Sequence, residues 1–130
     1  MPCIKKLWLE IRGLFCKVTN FTYHIKRIKW FIQRGKRGYS DYDWWEMDTY
    51  LTSIILPMLR RLRANSCGFP VRAVTPERWD KLLDEMIECF ELAEKIGGYI
   101  YETSEEMDIA YKMFQRKMRV FAKWFFCLWD

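Results

Sequence analysis

Histidine occurs once in these 130 residues, glycine six times and proline four times, and no tract is rich in serine, glycine or proline. So few flexible residues beside 51% hydrophobic ones leave little room for long disordered segments, and nearly the whole chain is expected to fold. Its size is that of one domain, read as a basic helical part at 1–38 and a helical core at 39–130. Long apolar runs are also missing. The longest stretch without Asp, Glu, Lys or Arg, from Thr49 to Leu59, is well short of the roughly 20 residues a membrane span needs, so none is expected. Glu10 and Arg12 interrupt the apolar N-terminus, and no small-residue cleavage site follows, which argues against a secretory signal.

Pairing signals in cysteine are absent too. Cys3, Cys16, Cys67, Cys89 and Cys127 are odd in number, widely spaced and without a C-x-x-C pair, so neither a disulfide framework nor a zinc site is expected, and the thiols fit a reducing compartment. No nucleophile elbow, P-loop, dinucleotide fingerprint or H-E-x-x-H helix occurs. The one imidazole, His24, lies among Thr22, Tyr23 and Lys26 and reads as an ordinary, partly exposed side chain. Carboxylates pair as Asp41 with Asp48 and Glu105 with Glu106, a weak basis for acid/base chemistry that helix starts and solvated faces also explain. A non-enzymatic protein without cofactor or metal is the expectation.

Helical periodicity is what the chain does have, and it indicates an all-α bundle of about five helices. Apolar residues recur at three- and four-residue steps from Ile4 to Val18, giving a first helix. Thr19 or Asn20 is placed to cap a second, Phe21 to about Arg34, with Gly35 and Gly38 at its exit. Ser40 and Asp43 form a variant capping box opening a third, Asp41 to about Ala64, whose core stripe would be Trp44, Met47, Leu51, Ile54, Ile55, Met58 and Leu62; Pro57 predicts a kink or break near Leu56. A loop follows to Ala73. Thr75-Pro76-Glu77 starts a fourth helix, running to about Ile96 and burying Trp79, Leu82, Leu83, Met86, Ile87, Phe90 and Ala93. Gly97-Gly98 ends it, and Gly98 to Glu102 reads as briefly extended. Thr103 with Glu106 opens a fifth helix, on a stripe from Met107 through Ala110, Tyr111, Phe114, Met118 and Phe121 to Phe125 and Leu128.

Charge is distributed unevenly. Residues 1–38 hold ten lysines and arginines against the single acid Glu10, whereas residues 65–102 hold eight acids against four bases. A basic third of this kind suits nucleic acid or another polyanion, or is simply a solvated face. Pairing of the basic and acidic parts between copies predicts a homo-oligomer. Arg60, Arg61 and Arg63 favour the C-terminal end of a helix dipole. The terminal Trp124, Phe125, Phe126 and Trp129 are either a core plug or an interface.

The densest constellation runs from Lys36 to Asp48. Helical spacing would place Asp41, Trp44, Trp45 and Asp48 on neighbouring turns of one side, with Lys36, Arg37 and Tyr39 approaching from the preceding loop. Ring faces, cations and free amide donors at a helix start are what a nucleobase joined to phosphate requires. The same residues equally suit a structural lock, an Asp-to-Arg or Asp-to-Trp hydrogen bond with the tryptophans in the core.

Taken in order, RGYSDYDWWEMDTYL, GFP, TPERWDKLLDEMIECFE and FAKWFFCLWD resemble a widespread family of small uncharacterised tailed-bacteriophage proteins. Its motifs are RG-aromatic-SD-x-x-W-x-x-D, GxP, TPExW and FAK-aromatic-F-x-x-LWD, and the likeness covers roughly residues 27–130, without the first helix. The resemblance implies a phage origin and the cytoplasm of an infected bacterium, without supplying an activity. It points to Arg37, Tyr39, Asp41, Trp45 and Asp48, and to Trp79, Lys123, Trp129 and Asp130 as a candidate interface. The leading expectation is a phage binding protein that antagonises a bacterial defence system by sequestering a nucleotide signal or blocking a nucleic-acid-handling effector. The alternative is a nucleic-acid-binding or protein-interaction module in phage replication, transcription or packaging.

Overall fold

The computed structural model describes residues 21–129. The expected first helix, with Lys5, Lys6 and Arg12, lies outside them, as does Asp130. Among the described residues there are four α-helices and no strand: α1 (21–37), α2 (Met47–Asn65), α3 (Pro76–Gly97) and α4 (Ser104–Trp124), with 3-10 turns at Val71–Ala73 and Phe125–Cys127. Chain contacts divide between Glu46 and Met47 into two compact units, whereas composition changes at residue 38. No helix among the described residues is long and apolar enough to cross a membrane.

The first unit holds α1 and the turns that follow it. Gly38, at φ +84°, terminates α1 in the left-handed conformation glycine adopts without a Cβ penalty, and its amide donates to the Arg34 carbonyl at 2.9 Å. The next helix does not begin at Asp41 as the capping pattern suggested. Ser40 and Asp43 do bond reciprocally: the Ser40 amide donates to Asp43 Oδ2 at 2.7 Å and the Asp43 amide to the Ser40 carbonyl at 3.2 Å. The box closes a turn instead. Turns continue to Glu46, and the α-helical ladder starts only at Met47, because the Asp43 carboxylate is also committed to α1.

In the second unit α3 packs against both α2 and α4, while no Cα of α2 comes within 8 Å of one of α4. Its stripe Trp79, Leu83, Met86, Cys89 and Phe90 is buried, against Leu56 and Leu59 of α2 and Phe121 and Trp124 of α4. Rings reinforce the seam: Trp79 and Trp124 lie 5.7 Å apart, and Phe90 and Phe121 meet edge-to-face at 4.9 Å. Trp79, a candidate interface residue from the sequence, is therefore core, at 1% exposure. Lys123 and Trp129 are exposed.

The second unit departs from the sequence expectation in several places. The buried face of α2 is Thr52, Leu56 and Leu59, while Met47, Leu51, Ile54 and Met58 of the expected stripe are exposed. The helix is apolar on two faces, and periodicity alone does not say which one turns inward. No break occurs at Pro57; α2 runs through it. Pro57 and Ser53, whose carbonyl loses its amide donor, are both exposed, so the helix carries the proline on its solvent side. The α-helical part of α4 ends at Trp124 rather than continuing to Leu128, and Tyr111 and Phe125 are about half exposed. Residues 98–99 turn, with Tyr99 left-handed at φ 51°, residue 102 bends, and 100–101 between them have no regular structure.

In the second unit the starts expected at Thr75 and Thr103 are present. Thr75 Oγ1 accepts from the Arg78 amide with Pro76 at the first helical position, and Thr103 and Glu106 form a complete capping box. Leu83→Ala, which empties a fully buried site, is expected to cost about 2–5 kcal/mol, and Thr103→Ala about 1 kcal/mol. Urea unfolding followed by far-ultraviolet circular dichroism checks both, and equal small losses would contradict this placement of the core.

Candidate functional site

The first unit is organised by two carboxylates laid along one face of α1. Residues 29, 33 and 37 recur at four-residue steps and so share that face. Asp41 reaches all three: Gln33 Nε2 donates to its Oδ2 at 2.6 Å, Lys29 Nζ lies 3.1 Å from the same oxygen, and the Arg37 guanidinium holds Oδ1. The Asp41 amide returns a hydrogen bond to Gln33 Oε1 at 2.9 Å. One turn along, Asp43 is buried at 3% exposure and takes Arg34 in a two-pronged bond, with Nε at 2.9 Å from Oδ2 and Nη2 on Oδ1, while also accepting from the Ser40 amide. Planar Arg–carboxylate forks of this kind fix orientation as well as charge.

Donors crowd around both acids and hold their carboxyls far below the usual carboxylate range. For Asp41 the Gln33 hydrogen bond contributes most, followed by Arg37 and Lys29; for Asp43 it is Arg34, working against burial. Asp41 thus stays ionised near neutral pH, which removes it as a proton-carrying general acid.

Of the sequence-selected residues, Arg37 turns inward on its own loop. Besides Asp41, its Nε donates to the Tyr39 carbonyl at 2.9 Å, and its Cζ sits 4.6 Å from the centre of the Tyr39 ring. An Asp-to-Arg lock is formed, but not the expected one between two helices with the tryptophans as core: it ties the turns after α1 back onto α1, through Arg37 and through three residues not singled out from sequence, Lys29, Gln33 and Arg34. Their signal was there, four-residue spacing on α1 facing an Asp-x-Asp turn, yet nothing local says that a loop folds back along its preceding helix. Asp48 is not joined to this group by helical spacing; it is exposed in the first turn of α2, in the second unit.

Trp44 and Trp45 remain outside the lock. They are 56% and 74% exposed, with ring centroids 4.7 Å apart and planes inclined at 39°. Their neighbour Tyr42 packs against Trp30 of α1 at 5.0 Å and donates to Glu46 at 3.3 Å. Lys26, Arg27 and Lys36 are exposed, with no carboxylate partner among the described residues; Arg27 lies 5.9 Å from the Tyr23 ring. Among the described residues no three His, Cys, Asp or Glu side chains are grouped to hold a metal ion. Burial pushes the Cys89 thiol up to about 11, so it is not a nucleophile at neutral pH. No protein-family model, curated protein or solved structure matches this chain.

Because both folded-state pKa values are depressed, the stabilisation from Asp41 and Asp43 is fully present above the unfolded value of about 3.9 and is lost as pH falls below it toward the folded values. Carboxyl carbon chemical shifts of both residues should therefore stay flat from pH 8 to about pH 3, a range over which a free Asp titrates. Asp43→Ala should speed hydrogen exchange at the Ser40 amide by roughly tenfold or more, since hydrogen bonds to charged groups are worth about 1.5–3 kcal/mol.

Proposed function

We propose that this chain is a non-enzymatic binding protein whose first unit takes a nucleotide-type anion on the Trp44–Trp45 face. In the setting implied by its phage-like segments, it would blunt a bacterial defence by holding a nucleotide signal or by occupying a nucleic-acid-handling effector. One observation carries this: two neighbouring indoles are held largely in solvent on a segment that Asp41 and Asp43 fasten to α1. Exposed rings on an anchored backbone lose little conformational freedom when a base stacks on them. Phosphate charge would be met by Lys26, Arg27 and Lys36, whereas Arg37 and Asp41 shape the support rather than touch the ligand.

The same three cations favour a second reading, contact with a nucleic acid strand in phage replication, transcription or packaging. The two differ in salt dependence: strand binding weakens steeply as counterions compete, whereas a single nucleotide responds weakly.

Cyclic di- and trinucleotides should raise the thermal midpoint and quench tryptophan fluorescence. Trp44→Ala and Trp45→Ala should each weaken binding by roughly tenfold or more, from the ~1–3 kcal/mol that a stacked base contributes. Absence of any stabilisation, or binding unchanged in both variants, would remove the nucleotide version. A single-stranded oligonucleotide titrated at two salt concentrations decides the second.

A further inference from the structure

The second unit carries a separate feature that the nucleotide reading does not use. Between the C-terminal half of α2 and the end of α4 lies a trough of about 670 Å³, walled by Ile55, Met58 and Leu62 on one side and Phe121, Phe125 and Trp129 on the other. Along α2 it extends from Ile55 to Asn65, about 15 Å at the helical rise. It opens between two helices that each pack on α3, with no Cα of α2 within 8 Å of one of α4. Met58 is 65%, Phe125 52% and Trp129 68% exposed, so its rims are apolar side chains left in water. An exposed, elongated apolar surface of this kind marks a protein contact more often than chance.

Its polar end is equally informative. Of the three arginines there, Arg60 binds Glu91 at 2.8 Å and Arg63 binds Asp80 at 3.2 Å and Asp84 at 2.9 Å. Arg61, which lines the trough, has no carboxylate partner among the described residues. Asn65 beside it donates Nδ2 to the Arg61 carbonyl at 2.8 Å.

We propose that this trough is a docking groove for an amphipathic helix of a partner protein, one whose apolar face ends in a carboxylate that Arg61 receives. A helix suits a site about three turns long with one wall on α2 and the other on the end of α4 and the turn that follows it, where it would supply the fourth member of a bundle. An acid suits the one arginine of the three that has no carboxylate partner among the described residues. The Met58 thioether lets the wall adapt to differently shaped apolar residues.

The test uses two fluorescently labelled helical peptides of about 14 residues, a length that spans the trough. They share leucines at three- and four-residue steps and differ only in a Glu or a Lys at one end. The full chain should bind the Glu peptide roughly tenfold or more tightly than the Lys peptide. Arg61→Glu should invert that preference, and Met58→Asp should weaken both peptides while leaving helicity and thermal midpoint unchanged, since both positions are exposed. Equal binding of the two peptides, a preference unaltered by Arg61→Glu, or binding of dodecanoate and of neither peptide would each overturn the proposal. So would sedimentation showing a dimer of the free chain that Met58→Asp dissolves, because a second copy would then fill the groove. Trp44 and Trp45 are untouched in these variants, so the outcome is separate from that of the nucleotide titrations.

Discussion

Everything in the second unit depends on α3 burying one stripe between two neighbours. Trp79, Leu83, Met86 and Phe90 face Leu56 and Leu59 from one side and Phe121 and Trp124 from the other. Among the described residues, α2 and α4 are joined mainly through α3, with no Cα of one within 8 Å of a Cα of the other. Burying side chains of this size contributes about 1.5–3 kcal/mol each, enough to outweigh smaller local costs. One such cost is the Trp79 Nε1–H, which is buried without a hydrogen-bond acceptor. Another is Val74, a β-branched residue at φ 74° just before the α3 cap, where the chain must turn sharply into Thr75 and Pro76.

In the first unit the organising force is electrostatic. Asp41 and Asp43 draw together donors from three successive turns of α1, so a segment too short for a core of its own is held by hydrogen bonds to charge. Asp43 is the more committed of the two, being buried and satisfied by a guanidinium fork and a backbone amide. Most of the Asp41 network faces water, where ion pairs contribute less, but its several donors make it cooperative. That scaffold is what lets Trp44 and Trp45 stand in solvent on a defined backbone.

Helix existence was legible in sequence wherever an apolar stripe met a capping signal, as at Thr75-Pro76 and at Thr103 with Glu106. Orientation was less so. Composition marks α2 as apolar on two sides, and only the position of α3 decides that Leu56 and Leu59 turn inward while Leu51 and Met58 face outward. Lys117 shows the same limit: a charged residue that periodicity leaves off the apolar stripe of α4, it is buried with its ammonium on Glu88 Oε2 at 2.6 Å. For the candidate site, aromatic and acidic content pointed to the right segment but not to the geometry. A capping box and a closed turn share the Ser40–Asp43 pattern, and what separates them is Arg34, six residues before Ser40.

The uneven charge of the chain also looks different once partners are assigned. The acids of α3 are largely spent within the unit: Asp80 and Asp84 on Arg63, Glu91 on Arg60, and Glu88 on Lys117. On α1, Lys29, Arg34 and Arg37 are spent on Asp41 and Asp43. Part of the charge in each region is therefore neutralised within its own unit. What distinguishes a surface is the residue left over. Lys26, Arg27 and Lys36 remain in the unit that carries the exposed indoles, and Arg61 remains at the end of an apolar trough in the other. A cation without a carboxylate beside aliphatic walls has more to gain from an anionic, partly apolar partner than from water alone, and in the trough that condition is met by Arg61 with Met58 and Leu62.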